Sequence, residues 1–400
     1  MQADKNIKAV MVGLGYIGLP TAALMASRGI KVHGVDINQK AVDTINRGEI
    51  HIVEPDLDGL VNHVVSKGYL KADTKPAEAD VYLIAVPTPF KGDHQPDISY
   101  VESAARALLP YLKEGNLVIL ESTSPVGTTE RVKEIVDSGR PELQGKLFFA
   151  YCPERVLPGN VIYELEHNDR AIGGMDAAST EKAIAFYRHF VKGELHATNA
   201  RTAEMCKLVE NSYRDVNIAF ANELSMICDK AGINVWELIR LANKHPRVNI
   251  LQPGTGVGGH CIAVDPWFIV ADFPQEAKII RAAREINNYK TEWVIEKIKN
   301  AALQFELKEG RKPTIACLGL AFKPDIDDLR ESPALEVVKR LVSYGLDILA
   351  VEPNINELTN IKLVNLEEAY RLADIHVFLV GHKEFKNLTL PDSKVLSFVK

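Results

Sequence analysis

Residues 10–20 read VMVGLGYIGLP, and this stretch decides the fold of the first half of the chain. Gly13, Gly15 and Gly18 form a GxGxxG pattern between an apolar run and a helical stretch. In such a unit the first glycine permits a tight turn, the second admits a pyrophosphate, and the third allows close helix–strand packing. The N-terminus of the helix favours phosphate. The stretch predicts a dinucleotide-binding loop that includes Tyr16 and Ile17; the alternative is an ordinary glycine-rich turn.

The next apolar run ends in Asp36, which lies 18 residues after Gly18. A carboxylate at this distance accepts hydrogen bonds from ribose hydroxyls and disfavours a 2′-phosphate. The predicted cofactor is therefore NAD. Lys40 follows shortly after and either flanks the adenosine or is a solvated helix lysine.

Short apolar runs alternate with amphipathic stretches over the first 200 residues, which is typical of βαβ repetition and a parallel, doubly wound sheet. We predict an NAD-binding domain at 1–200. Thr88 and Thr123 each follow a predicted strand, where ligands of open α/β sheets bind, although ordinary turn chemistry also explains them. The predicted strands are 8–13, 31–36, 81–86, 116–122 and 146–151, with helices at 38–47, 98–112 and 128–137.

The pattern of apolar residues becomes helical in the middle of the chain, and short strand-like runs alternate with helical stretches again near the end. Residues 202–232 contain no proline and no glycine before Gly232, and a second helix is predicted at about 275–304. The predicted fold class is α/β, with two Rossmann-like doubly wound domains joined by a long-helix central region at 201–305. The second α/β domain, at 306–400, has predicted strands at 314–321, 347–352 and 374–381 and helices at 333–344 and 366–372.

Composition excludes several classes of function. The chain has 400 residues, with 47 Lys and Arg against 53 Asp and Glu, a net charge of −6. This balance indicates neither a nucleic-acid nor a membrane partner, and no apolar run suits a membrane span or leader peptide. The five cysteines are scattered and lack a CxxC pair, so neither a disulfide framework nor a metal site is expected. Free thiols fit the cytoplasm.

Cys261 lies in the glycine-rich stretch GTGVGGHCIAVD, residues 254–265. In a nicotinamide enzyme a thiolate can attack an aldehyde, and hydride transfer from the adduct gives a thioester that water cleaves. Glycines there would admit substrate and present N–H donors to an oxyanion. The alternative is a structural cysteine.

Two other stretches offer polar groups to such chemistry. Lys207, Asn211 and Arg214 share one helix face by their spacing, which suits anionic intermediates or else a solvated surface. Residues 151–160, YCPERVLPGN, supply Glu154 and Arg155 directly after a predicted strand.

Six motifs in order make the chain resemble the nucleotide-sugar 6-dehydrogenases, the UDP-glucose/GDP-mannose dehydrogenase family, over nearly its whole length. The motifs are VGLGYIGLP at 12–20, STSPVGTT at 122–129, CPERVLPG at 152–159, AEMCKLVEN at 203–211, GVGGHCIAVDP at 256–266 and GLAFKPDIDDLRESP at 319–333. The resemblance implies two hydride transfers to NAD that convert a C6 alcohol to a carboxylate.

The resemblance also implies roles for individual residues. Cys261 is the nucleophile, Lys207 and Asn211 handle the oxyanion and proton transfers, Asp265 assists, and Glu154 serves the hydrolytic water. Thr123 lies by the nicotinamide. The implied substrate-binding residues are Arg155, Val156, Lys207, Asn211, Arg214, His245, Arg247, Gly258, Phe322, Lys323 and Arg330. The resemblance implies that Arg330 also reaches NAD. It further implies a homodimer or larger homo-oligomer in which an arginine of the region around Arg247 reaches the neighbouring subunit's site.

The cysteine motif differs from that of the UDP-glucose dehydrogenases, and the differences indicate which sugar is the substrate. GGHCIAVD replaces the usual GGSCFxKD, so Val264 stands where a lysine is usual. The stretch most resembles the branch that acts on UDP-N-acetyl-D-mannosamine; UDP-N-acetylglucosamine or UDP-glucose is the alternative. Two other functions remain open, a two-electron hydroxyacid dehydrogenase, which needs no cysteine, and a non-catalytic regulator that binds NAD or a nucleotide sugar.

Overall fold

The apolar runs of the first half form one eight-stranded sheet. The computed structural model describes residues 7–156, 159–386, 388 and 394–400. The chain divides into two units, Met1–Glu210 and Asn211–Lys400, and each is described by itself. The elements of the first unit are β1 (Lys8–Val12), α1 (Gly18–Ser27), β2 (Lys31–Val35), α2 (Gln39–Asn46), α3 (Leu57–Ser66), β3 (Leu70–Asp73), β4 (Val81–Ile84), β5 (Phe90–Lys91), β6 (Gln95–Pro96), α4 (Ser99–Leu108), β7 (Leu117–Leu120), α5 (Thr128–Gly139), β8 (Phe148–Tyr151), α6 (Val161–His167), β9 (Arg170–Gly174), α7 (Ala177–Tyr187) and β10 (Leu195–Asn199).

The sheet has the order β10-β9-β8-β7-β4-β1-β2-β3. Its strands are buried on both faces: Ala9 and Met11 of β1 belong to one core cluster, and Val10 and Val12 belong to the other. The chain runs outward from β1 to β3 and then returns to β4 on the other side of β1. This reversal of direction creates a crevice beyond the carboxyl ends of β1 and β4, which is where open α/β sheets bind ligands.

One 32-residue helix, α8 (Ala200–Ala231), leads from the first unit into the second. The other elements of the second unit are α9 (Val235–Ala242), α10 (Asp265–Asp272), α11 (Lys278–Glu309), β11 (Thr314–Leu318), α12 (Pro333–Ser343), β12 (Asp347–Val351), α13 (Leu366–Leu372), β13 (Ile375–Phe378) and β14 (Lys394–Ser397).

The second sheet is parallel and smaller, with the order β12-β11-β13-β14. Its core continues between α11 and α12, where Val294 and Ile298 pack with Val337 and Leu341. A second crevice lies beyond β11 and β13, where the strand order again reverses. Among the described residues, no helix is both long and apolar enough to cross a membrane.

The predicted fold class is confirmed, with differences in detail. The pair β8–β9 is antiparallel rather than parallel, and the strands β3, β5, β6, β9, β10 and β14 were not predicted. The strands β3 and β10 were missed because they carry polar residues and so lack an apolar run. The second long helix begins at Lys278 rather than near 275, following Pro274. The unit boundary falls inside α8, and the three-domain division remains a prediction.

Candidate functional site

The GxGxxG loop adopts the conformation that its glycines predict. Gly13 has a φ of 94°, and a Cβ there would collide with the carbonyl oxygen of Ala85. A Cβ at Gly18 would collide with the carbonyl oxygen of Gly13. At Gly15 a Cβ would meet nothing within 4 Å, so the space before the N-terminus of α1 is open. This cradle fits a pyrophosphate.

Asp36 closes the same loop. Its two carboxylate oxygens accept hydrogen bonds from the N–H groups of Leu14 and Asn38 at 3.0 and 2.9 Å. Each oxygen retains a second lone pair, so the carboxylate can also accept from ribose hydroxyls. Tyr16 lies in the exposed turn before α1, and Lys40 is exposed in the first turn of α2. Ile17 is half-buried immediately before α1.

The two predicted threonines meet beside this crevice. The buried hydroxyl of Thr88 donates to the carbonyl oxygen of Thr123 at 2.5 Å. Glu204 of α8 holds the loop that follows Thr123, since its carboxylate accepts from the N–H groups of Gly127 and Thr129 at 2.7 and 2.8 Å. Burial raises the pKa of Glu204. The loops after β4 and β7 are therefore tied together by Thr88, and the second of them is also held by Glu204, for which no role was predicted.

Glu154 lies buried just beyond β8. Its Oε1 accepts from the N–H of Arg155 at 2.5 Å, and Arg170 lies 3.5 Å from its Oε2. The guanidinium of Arg155 pairs with Glu210 at 2.9 Å, and Val156 is half-buried beside it. Sequence reasoning did not find Arg170, because it is the first residue of a strand and not the residue after one.

Glu54 anchors the far end of the same loop. Its carboxylate accepts from the N–H groups of Gly159 and Val161 at 3.0 and 2.8 Å, and the side chain is buried. Leu157 and Pro158 lie outside the described residues. A second buried acid thus holds the chain at Gly159 and Val161, after the glutamate that the family resemblance singles out.

In the second unit, Cys261 lies exposed in the turn before α10. Its carbonyl oxygen accepts from the N–H of Asp265 at 2.8 Å. The buried carboxylate of Asp265 in turn accepts from the side-chain amide of Asn211 at 2.6 Å. Three residues predicted to act together are therefore joined by a chain of hydrogen bonds. Lys207 lies half-buried one turn earlier on α8, within the first unit.

The glycines before Cys261 have a packing role that sequence reasoning did not foresee. A Cβ at Gly258 would collide with the carbonyl oxygen of Glu331, and a Cβ at Gly259 would come 2.9 Å from the ring of Phe322. The N–H of Gly259 also donates to the carbonyl oxygen of Arg330 at 3.0 Å. The cysteine loop therefore packs directly on the segment after β11, and substrate contact at Gly258 remains a prediction.

That segment is fixed by an acid in the second sheet. Glu352, just after β12, accepts from the N–H groups of Leu320 and Ala321 at 2.7 and 3.0 Å and contacts buried His382 at 3.0 Å. These hydrogen bonds lower the pKa of Glu352 to about 2, against the opposing effect of its burial. Nδ1 of His382 accepts from the N–H of Asp325 at 2.9 Å, so Nε2 carries the proton. Glu352 corresponds in position and contacts to Asp36 of the first sheet.

The remaining predicted substrate residues lie on the surface of the second unit. Lys323 is exposed, and exposed Arg330 pairs with Asp328 at 2.6 Å. Arg214 is exposed on α8, while His245 and Arg247 are exposed after α9. Desolvation and the positive charge of Arg330 lower the pKa of His260, next to Cys261. The structure joins the cysteine loop to the Phe322–Arg330 segment, and the described contacts leave His245 and Arg247 apart from it.

Two Rossmann-like sheets and a glycine cradle closed by an acid are typical of an NAD-dependent dehydrogenase. Family models agree: residues 7–191 match the NAD binding domain, residues 201–289 the central domain and residues 316–397 the UDP binding domain of the UDP-glucose/GDP-mannose dehydrogenase family. The chain belongs to this family, and the predicted cofactor NAD is confirmed.

Individual members of the family are similar to this chain over nearly its whole length. A UDP-N-acetyl-D-mannosamine dehydrogenase of Escherichia coli (strain K12) is 60% identical over 393 residues, 94% of each chain. An NDP-N-acetyl-D-galactosaminuronic acid dehydrogenase of Ralstonia nicotianae is 59% identical, covering 94% of this chain and 91% of that one. Among solved structures, the UDP-D-ManNAc dehydrogenase of Pyrococcus horikoshii is 38% identical with a TM-score of 0.89, covering 98% of this chain and 96% of that one.

Proposed function

We propose that this chain oxidises the C6 hydroxyl of UDP-N-acetyl-D-mannosamine to the carboxylate, with two NAD reduced per sugar. The observation that carries the proposal is the continuous hydrogen-bonded connection from exposed Cys261 through Asp265 to Asn211. The backbone of the cysteine is tied to a residue whose buried carboxylate holds a side-chain amide, and a thiol, a carboxylate and an amide together suit covalent oxidation of an aldehyde. Relatives from several bacteria that are named for this substrate support the choice of sugar.

The chemistry proceeds in three stages. The Gly13–Gly18 cradle, with Thr88 and Thr123 nearby, would hold NAD, and the cofactor would supply the hydride acceptor for both oxidations. In the first, the C6 alcohol loses a hydride and a proton and becomes an aldehyde. The Cys261 thiolate then adds to the aldehyde carbon, and the thiohemiacetal loses a second hydride to become a thioester. Finally, water displaces the thiol and leaves the carboxylate.

The chain's polar groups divide this work between them. Lys207 and Asn211 stabilise the oxyanion and move protons, and Asp265 holds the Asn211 amide in place. Glu154 accepts the proton of the water that attacks the thioester. Phe322, Lys323 and Arg330 bind the UDP group, while Arg155, Val156 and Arg214 extend the contacts to the sugar.

A homodimer or larger homo-oligomer is part of the proposal. Tyr213, Phe220 and Ile227 on α8 are 69%, 54% and 57% exposed and recur every seven residues. A stripe of large apolar side chains at this spacing favours helix–helix association. His245 and Arg247 then serve the neighbouring subunit's site. Free cysteines throughout the described chain support a cytoplasmic location.

A second sugar competes for the same site. The relative named for NDP-N-acetyl-D-galactosaminuronic acid is 59% identical, so overall identity does not separate the two. The test is to incubate the enzyme with limiting UDP-N-acetyl-mannosamine, -galactosamine or -glucosamine, or UDP-glucose, and to follow NADH at 340 nm. We expect the highest kcat/KM with the mannosamine sugar and two NADH per sugar. One NADH per sugar would indicate a two-electron dehydrogenase, and binding without NADH would indicate a regulator.

A further inference from the structure

A buried array of polar side chains lies behind Glu154, where β7 and β8 end and β9 begins. The antiparallel register pairs Ala150 with Gly174 and Tyr151 with Gly173. Extended by three residues, this register sets Glu154 opposite Arg170. The reversed strand therefore brings a cation to the edge of the sheet where parallel strands deliver Glu121 and Glu154.

Arg170 is held from several sides. One terminal nitrogen donates to the carbonyl oxygen of Leu165 at 3.1 Å and lies 3.5 Å from Oε2 of Glu154. The other lies 3.8 Å from the sulfur of Cys152. The guanidinium carbon lies 5.3 Å from the ring centroid of Tyr187, within cation–π range. These contacts leave Arg170 little freedom to change rotamer.

Tyr187 and Glu121 complete the array. The hydroxyl of Tyr187 donates to Oε1 of Glu121, the residue that follows β7. All five side chains, Glu121, Cys152, Glu154, Arg170 and Tyr187, belong to residues that are at most 7% exposed. The ring that faces Arg170 is thus fixed through its own hydroxyl.

The charges of the array do not balance when every acid is ionised. Arg170 is the one cation among these five residues, and Glu121 and Glu154 are the two carboxyl groups. Burial raises the pKa of Glu121 to about 7 despite the opposing effect of Arg170, while burial keeps the Cys152 thiol and the Tyr187 phenol neutral. Around and below neutral pH, Arg170 therefore forms its ion pair chiefly with Glu154.

We propose that Arg170, oriented by Tyr187 and Glu121, is the positioning residue that holds the Glu154 carboxylate for attack of water on the acyl-enzyme. The proposal rests on the proposed function, because it assigns the array to one stage of that reaction. Arg170 and the N–H of Arg155 each engage a different oxygen of Glu154, so together they fix both the place and the rotation of the carboxylate. The Cys261–Asp265–Asn211 connection shares no residue with the array.

The test separates hydride transfer from hydrolysis in the full-length enzyme. Tyr187→Phe removes the hydroxyl that fixes the ring, and Glu121→Met removes the oxygen that accepts from this hydroxyl while keeping a side chain of similar length. Rapid mixing with UDP-N-acetyl-mannosamine and NAD measures the NADH burst, and intact-protein mass after acid quench measures the acyl adduct on Cys261. We expect a burst of two NADH per site at the wild-type rate, about tenfold slower steady-state turnover, and accumulation of the adduct.

Tyr82→Phe is the matched control, because Tyr82 is also a fully buried tyrosine of the first unit whose hydroxyl donates to a backbone oxygen, that of Tyr111 at 2.9 Å. It should leave the ratio of burst to steady-state rate unchanged. The proposal is overturned when burst and steady state fall by the same factor, or when neither falls, in variants with a wild-type melting temperature. Wild-type enzyme that yields no acyl adduct and only one NADH would overturn the proposed function itself.

Discussion

Cys261 gives the sharpest test at the scale of single residues. A serine hydroxyl at this position is a far weaker nucleophile than a thiolate, so Cys261→Ser should lose uronate formation by at least about a thousandfold. NADH should fall from two per sugar to one at most, as measured by absorbance at 340 nm. Cys206→Ser, at a half-buried cysteine of α8, serves as control. Full uronate production by Cys261→Ser would exclude the covalent route.

Glu121 should make stability depend on pH. Its pKa is about 7 in the folded chain and about 4.5 when unfolded. A raised carboxyl pKa stabilises the fold below the unfolded value, and this contribution is lost as pH rises through the folded value. Between pH 4.5 and 7 the wild type should therefore lose about 3 kcal/mol relative to Glu121→Gln. Urea unfolding of both proteins at pH 5 and pH 8 measures this difference, and equal changes in the two proteins would contradict it.

The sequence predicted many of the candidate site residues, but it did not predict which distant side chains hold them in place. Gly13, Gly18 and Asp36 follow from a motif whose members interact within one β1–α1–β2 unit. Arg170 and Glu204 act across long sequence separations: Arg170 belongs to no motif, and Glu204 belongs to one motif while its partners Gly127 and Thr129 belong to another. Glu121 and Glu352 did carry a signal, since each is an acid that directly follows an apolar strand.

Among the structural elements, the loop before α10 shows how tightly two segments pack. Gly259 has a φ of 84°, and a Cβ would come 2.9 Å from the Phe322 ring. Gly259→Ala should therefore cost about 1–2 kcal/mol in backbone strain and also displace Phe322. We expect a higher KM for the UDP-sugar with an unchanged KM for NAD, measured by initial rates.

Gly59→Ala is the control for this change. Gly59 lies inside α3, and a Cβ there would meet nothing within 4 Å. Alanine at such a position stabilises by about 0.4–1 kcal/mol because the unfolded chain loses freedom. A Gly259→Ala enzyme with wild-type kinetics would mean that the contact with Phe322 does not shape the site.

Elements were predictable where their local signal was strong. The long helix α8 was foreseen because proline is absent and Gly232 ends it, and β1, β2, β11 and β12 were foreseen because they are short and apolar. The reversal of β9 was not predictable from periodicity, since parallel and antiparallel strands buried on both faces look alike in sequence.

For the whole molecule, the apolar stripe on α8 predicts self-association. Phe220→Glu places a charge in the middle of the stripe, which is costly to bury against a second copy. The variant should shift from dimer or higher oligomer to monomer in size-exclusion chromatography with light scattering. Leu372→Glu, at an exposed leucine of α13, should leave the mass unchanged. A monomeric wild type, or a Phe220→Glu variant of wild-type mass, would contradict the prediction.

Asp36 and Glu352 each accept hydrogen bonds from the loop that follows the first strand of their sheet. This arrangement has a thermodynamic consequence. Both loops are ordered by hydrogen bonds within the protein. The conformational entropy of these segments is therefore lost when the chain folds and not when a ligand arrives. Affinity at each crevice should then reflect direct contacts with the ligand, and the rate of association should not be limited by rearrangement of these two loops.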